Sequence, residues 1–96
     1  MPELKIKAKN PESLRRIIES ALSERLQSVQ AGIKKTKERL LAYEEQYNLS
    51  TEEFINRFNN DELHHSFDFD EWIGESKMLD HLEQIKESIE EINFVD

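Results

Sequence analysis

The sequence predicts an all-α protein: a long helical hairpin with a short middle helix, a coiled-coil-like seam, and a short N-terminal strand or arm in front. Three observations predict it. Apolar residues recur at steps of three and four over most of the chain. Ser, Asp and Asn stand where that pattern breaks, as helix caps do. Only 2 Gly and 2 Pro occur in 96 residues, too few for the turns of a many-stranded sandwich.

The length holds one domain, divided into an arm or strand over 1–10 and a single helical domain over 11–96. With no Cys, neither a disulfide framework nor a thiolate metal site can form. No apolar run approaches the ~20 residues that cross a bilayer, and no apolar segment follows Met1 as a signal peptide requires. The expected location is cytoplasmic, with no membrane partner.

The net charge of −8 is unevenly spread. Residues 1–39 hold ten Lys/Arg against five Glu, and residues 40–96 hold three Lys/Arg against sixteen Asp/Glu. A chain basic in front and acidic behind has two electrostatic faces. The acidic part opposes phosphate binding by the whole chain, which needs clustered cations. Nucleic acid remains open only to the basic N-terminal arm.

In that arm Leu4, Ile6 and Ala8 alternate with Lys5, Lys7 and Lys9, the period of a half-buried strand. No second alternating run exists to pair with it. Either it pairs with the same strand of another subunit, or it stands as an arm.

Asn10-Pro11 opens the first helix as N-cap and first helical residue. The seam then runs through Leu14, Ile18, Leu22, Leu26, Val29, Ile33, Leu40, Tyr43 and Tyr47, with Thr36 in one polar slot. From Leu26 onward the steps alternate three and four, a heptad seam. Gly32 inside this helix costs ~1 kcal/mol against Ala, which a close neighbour would explain. Asn48 can end the helix in the left-handed conformation. Ser50 with Glu53 forms a capping box and Leu49 with Phe54 a hydrophobic staple, predicting a second helix over about 51–59 with Phe54, Ile55 and Phe58 buried. For the third, Asp68 is the expected cap, Glu71 completes the box, and Phe67 staples to Trp72. Its helix runs over about 69–93, with a seam of Trp72, Leu79, Leu82, Ile85, Ile89 and Ile92 and with Ile73 and Met78 flanking.

The third helix, at ~37 Å, is shorter than the first at ~55 Å. Folded back, it leaves the front of the first helix uncovered. Leu14, Ile17, Ile18 and Leu22 there are the expected self-association residues, since an apolar stripe of that size avoids water.

No residue set carries catalysis, so the chain reads as a non-enzyme with no cofactor and no metal. His64-His65 lies among Asp61, Glu62 and Asp68, but lacks the spacing of ligands to one ion, and reads as a polar loop. Asp68, Asp70 and Glu71 sit at a helix start, where the macrodipole favours anions. Lys34, Lys35, Lys37 and Arg39 wrap around the helix as a solvated face. Tyr43, Tyr47, Phe54, Phe58, Phe67, Phe69 and Trp72 cluster at the bend as an apolar plug, the alternative being a binding platform.

The run Tyr43-Glu44-Glu45-Gln46-Tyr47-Asn48-Leu49-Ser50, with Phe54, Phe58, Glu62-Leu63, Asp70-Glu71-Trp72, Leu79 and Leu82, resembles a group of small prokaryotic proteins. These are the acidic, helical partners in toxin–antitoxin gene pairs. The resemblance implies a protein-binding role and carries over no catalytic residue. The expected function is therefore a non-catalytic helical interaction module, antitoxin-like, that binds a basic toxin-like protein and forms a homodimer. The alternative is a structural homodimerisation module without a toxin partner. Glu75, Asp80, Glu83, Glu87 and Glu90, off the seam of the third helix, are the expected partner-binding residues.

Overall fold

The computed structural model describes residues 2–94. They form three helices, α1 (Pro11–Tyr47), α2 (Thr51–Asn59) and α3 (Phe67–Glu90), and no strand. The hairpin measures 58 × 26 × 17 Å. Among the described residues no helix is long and apolar enough to cross a membrane. Residues 2–10 are an exposed arm, because one chain offers their alternating pattern no neighbouring strand.

Local chemistry sets the helix limits. Asn10 Oδ1 accepts from the Ser13 N–H, and Pro11 fills the first helical position. Asn48 ends α1 at φ 50°, and the Leu49 N–H closes back on the Glu44 carbonyl. That is the Schellman pattern. Asp61, at φ 57°, ends α2 the same way, with the Glu62 N–H on the Arg57 carbonyl. Ser50 caps α2 by accepting from the Glu53 N–H. The return half of the predicted box is absent, because the Glu53 carboxylate is drawn to Arg57 at 2.8 Å. A carboxylate from α1 caps the next backbone group instead: Glu44 Oε2 accepts from the Thr51 N–H at 2.7 Å.

The start of α3 differs from the sequence reading. Ser66, not Asp68, is the cap, accepting from the Phe69 N–H at 3.1 Å. Helix formation two residues earlier turns Phe67 outward, 77% exposed, so it staples nothing to Trp72. Asp68 becomes a first-turn residue facing α1. The helix also ends earlier, at Glu90, with the Ile92 N–H still bonded to the Ile89 carbonyl.

α1 and α3 run antiparallel in heptad register. Gly32 meets Leu82, Arg39 meets Glu75 one heptad on, and Tyr43 meets Glu71 a turn later. A Cβ on Gly32 would lie 3.1 Å from Leu82 Cδ1, so the helices approach here closely enough to use the missing side chain.

Burial is densest at the bend, and Val29 and Thr36 are also buried along the middle of α1. Phe54 and Trp72 are fully buried and Leu40 nearly so, with Tyr43, Tyr47, Leu49, Ile55, Phe58, Leu63, Phe69, Ile73 and Leu79 packed around them. The Phe54 and Trp72 rings stack at 3.9 Å and 6°, and Tyr43 stacks on Trp72 at 5.5 Å. Such pairs contribute about 0.5–1.5 kcal/mol each beyond their buried area. Of the seven bend aromatics six build this plug, and Phe67 does not.

Candidate interaction surfaces

The predicted site residues fall into three groups. The first is absorbed by the fold. Asp68 accepts from the Tyr47 phenol at 2.5 Å and Glu71 from the Tyr43 phenol at 2.8 Å. These bonds pin α3 to α1 across the bend and raise both phenols above the ordinary tyrosine value. The bond to Glu71, then burial, pushes Tyr43 up to about 12, and the bond to Asp68 raises Tyr47. Sequence spacing alone could not pair them, since each bond spans two helices.

His64 and His65 are exposed, and His65 packs its ring edge against Phe58 and lies 3.7 Å from Asp70 Oδ1. No group of three His, Cys, Asp or Glu suited to a metal occurs among the described residues.

The second group is the acidic row of α3, which is less uniform than expected. Glu75 is not a free surface carboxylate. It is half-buried, Oε1 accepts from Arg39 Nη1 at 3.0 Å, and Oε2 is buried without a hydrogen-bond partner. Alternating steps place Glu75 on the α1 side of α3, where the heptad register brings Arg39. Glu83 is also half-buried and lines an open groove with Ile33, Lys37, Lys86 and Glu87. Asp80, Glu87 and Glu90 are exposed, Glu90 lying 4.0 Å from Lys86 Nζ. The solvated face of α3 is thus carried by Asp80 and Glu87, with Glu83 and Glu90 beside them. The basic stretch of α1 is exposed as expected, apart from the Arg39 contact to Glu75.

The third group is apolar. The predicted bare front of α1 is partly covered. Leu14, Ile18 and Leu22 are half-buried, and the chain beyond α3 brings the Phe94 ring to 5.0 Å from the Arg15 guanidinium. Ile17 stands out, 62% exposed. From Pro11 to Ser28, α1 contains no fully buried residue, and neither does α3 after Trp72.

The sequence reading placed Leu82, Ile85, Ile89 and Ile92 in one seam with Trp72 and Leu79, with Met78 flanking it. Met78, Leu82, Ile85, Ile89 and Ile92 recur at alternating steps of four and three along one side of α3. Leu82, Ile85 and Ile89 are half-buried, and Met78 and Ile92 are 48% and 45% exposed. Leu82 of this row meets Gly32 of α1, so the row runs along the α1–α3 contact.

The chain matches no protein-family model, no curated protein and no solved structure.

Proposed function

We propose that this chain is a non-catalytic helical interaction module, antitoxin-like in its mode of work, that offers the solvated acidic face of α3 to a basic partner protein. The observation that supports this reading is the exposure of Asp80 and Glu87, which carry charge on a rigid helix and no packing duty. Complementary charge of this kind speeds encounter and fixes orientation more than it adds contact energy.

The test is binding of the purified chain to the purified product of the adjacent gene. Replacing Asp80, Glu83 and Glu87 by Asn or Gln should leave helix content intact and weaken binding, chiefly through a slower association rate. The interaction of wild type should also weaken as salt rises, because exposed charges act within a Debye length of ~8–10 Å. Equal affinity of the triple variant at low salt removes the acidic face from the reading.

A second reading, homodimerisation as the main role, is favoured by the apolar residues left half-open at the far end from the bend. In it Leu14, Ile17, Ile18 and Leu22 are the self-association residues. The double variant Ile18→Asp, Leu22→Asp would then dissociate the dimer, since buried unpaired charge costs several kcal/mol, about 3–5.

A further inference from the structure

We propose that the side of α3 carrying Phe67 and Gly74 docks the basic partner protein, with the Phe67 ring filling an apolar pocket and Gly74 letting the partner approach the helix backbone. The proposal rests on the partner reading above and adds to it a contact separate from Asp80 and Glu87.

Two features of α3 destabilise the free chain and have no use inside it. The first is Phe67, 77% exposed and the one exposed aromatic among the described residues. The second is Gly74, since Gly inside a helix is unfavourable against Ala. At Gly32 the missing side chain makes room for Leu82, 3.1 Å from where a Cβ would stand. At Gly74 a Cβ would meet nothing within 4 Å, so no described residue uses the space.

The two fall on one side of the helix. At ~3.6 residues per turn, seven residues bring Gly74 to within about 20° of Phe67 and about 10 Å along the axis. α1 meets α3 at Trp72, Glu75 and Leu82, which lie about 60–140° round from Phe67. α2 takes Trp72 and Phe69. Neither helix covers the Phe67 side, and Glu71, bonded to Tyr43, marks its border with α1.

Phe67 is also held rigidly. Ser66 accepts from the Phe69 N–H at 3.1 Å, and Asp68 is bonded to the Tyr47 phenol, so the residues on each side of Phe67 are fixed. A preorganised aromatic loses little freedom on binding, and aromatics in desolvated pockets are the common anchors of interfaces.

Charge selects the occupant. Between Arg57 and Lys77 the chain holds six Asp/Glu and no Lys or Arg. Asp70 and Glu71 stand between Phe67 and Gly74, one on each flank of the line joining them. A second copy would bring the same acidic stretch to the contact, and facing like charges repel. An apolar pocket bordered by Lys or Arg matches both the ring and the carboxylates.

The experiment is binding of the full chain to the purified product of the adjacent gene by surface plasmon resonance, with melting by circular dichroism as the folding control. Phe67→Ala should raise Kd at least about thirtyfold, chiefly through faster dissociation, with melting unchanged. Gly74→Gln should raise Kd at least about tenfold although the free chain melts no lower, because Gln suits a helix better than Gly. A residue with only a structural role would not weaken binding while the fold holds. Asp80 lies about 120–140° round α3 from this side, and the variant at Asp80, Glu83 and Glu87 should act on association instead. Wild-type affinity of Phe67→Ala or of Gly74→Gln, with that acidic variant weakened, overturns this contact and leaves the acidic face standing. No binding by wild type overturns both. A wild-type dimer that Phe67→Ala dissociates in the absence of the product gives this side to a second copy and overturns the partner proposed here.

Discussion

The indole Nε1 of Trp72 donates to Thr51 Oγ1 at 2.9 Å, joining the fully buried ring of α3 to the first residue of α2. Thr51 in turn donates its backbone N–H to Glu44 of α1. One residue therefore ties all three helices, and the Phe54 ring stacked on Trp72 sits one turn further along α2. A short helix that would be marginal alone is held in place by these contacts.

Trp72→Ala should destabilise the chain by about 3–5 kcal/mol, as large-to-small changes at buried aromatics do. Thr51→Val keeps the shape but leaves the indole N–H without its acceptor, and should cost about 1–3 kcal/mol. Denaturant unfolding followed by Trp72 fluorescence, or by circular dichroism for Trp72→Ala, gives both values. Thr51→Val melting like wild type would mean that water satisfies the indole.

The cap of α3 separates Ser66 from Asp68. Ser66→Ala should cost ~1 kcal/mol through the lost cap. Asp68→Ala should also destabilise, but through Tyr47. In a double-mutant cycle Tyr47→Phe and Asp68→Ala should be strongly non-additive, as contacting pairs are. Additivity within error would return Asp68 to a capping role.

The two glycines should respond differently to Ala. A Cβ on Gly74 meets nothing within 4 Å, so Gly74→Ala should stabilise by about 0.5–1 kcal/mol through helix propensity alone. At Gly32 the same gain is offset by the contact with Leu82, and the net change in melting temperature should be smaller. A larger gain at Gly32 than at Gly74 would show that α1 and α3 are not closely packed there.

Tyr43 makes stability fall in alkali. Its phenol is held protonated in the folded chain, raised from 10.0 to about 12 chiefly by the bond to Glu71. The folded state thus keeps a proton that the unfolded state releases first. The stabilisation is fully present below pH 10 and is lost as pH rises towards 12. Tyr43→Phe should show a shallower decline over that window. Equal slopes for the two proteins would mean that the phenol titrates normally.

The helices, their order and most of their ends were legible in the sequence, for a local reason. Asn10-Pro11, Asn48 and Ser50 act on backbone groups within a few residues, so their effect is readable without a fold. The heptad seam likewise announced which side of α1 would be covered. Two competing caps defeated this logic at α3. Ser66 and Asp68 both suit the position, and the choice fell to Ser66 once Asp68 could bond Tyr47 on the opposite helix. Charge roles failed in the same way. Glu75, Glu71 and Glu44 look alike in sequence, yet each is used by a residue that only folding brings near: Arg39, Tyr43 and the Thr51 N–H. The tail was hidden as well, since Phe94 reaches Arg15 only when α3 lies back along α1. What the sequence determined by itself is the set of helices and their apolar sides, because those depend on local propensity and periodicity. What the tertiary structure decided is which carboxylate meets which partner, Asp68 on Tyr47, Glu71 on Tyr43, Glu75 on Arg39 and Glu44 on the Thr51 N–H, because these groups come together only when α3 folds back along α1.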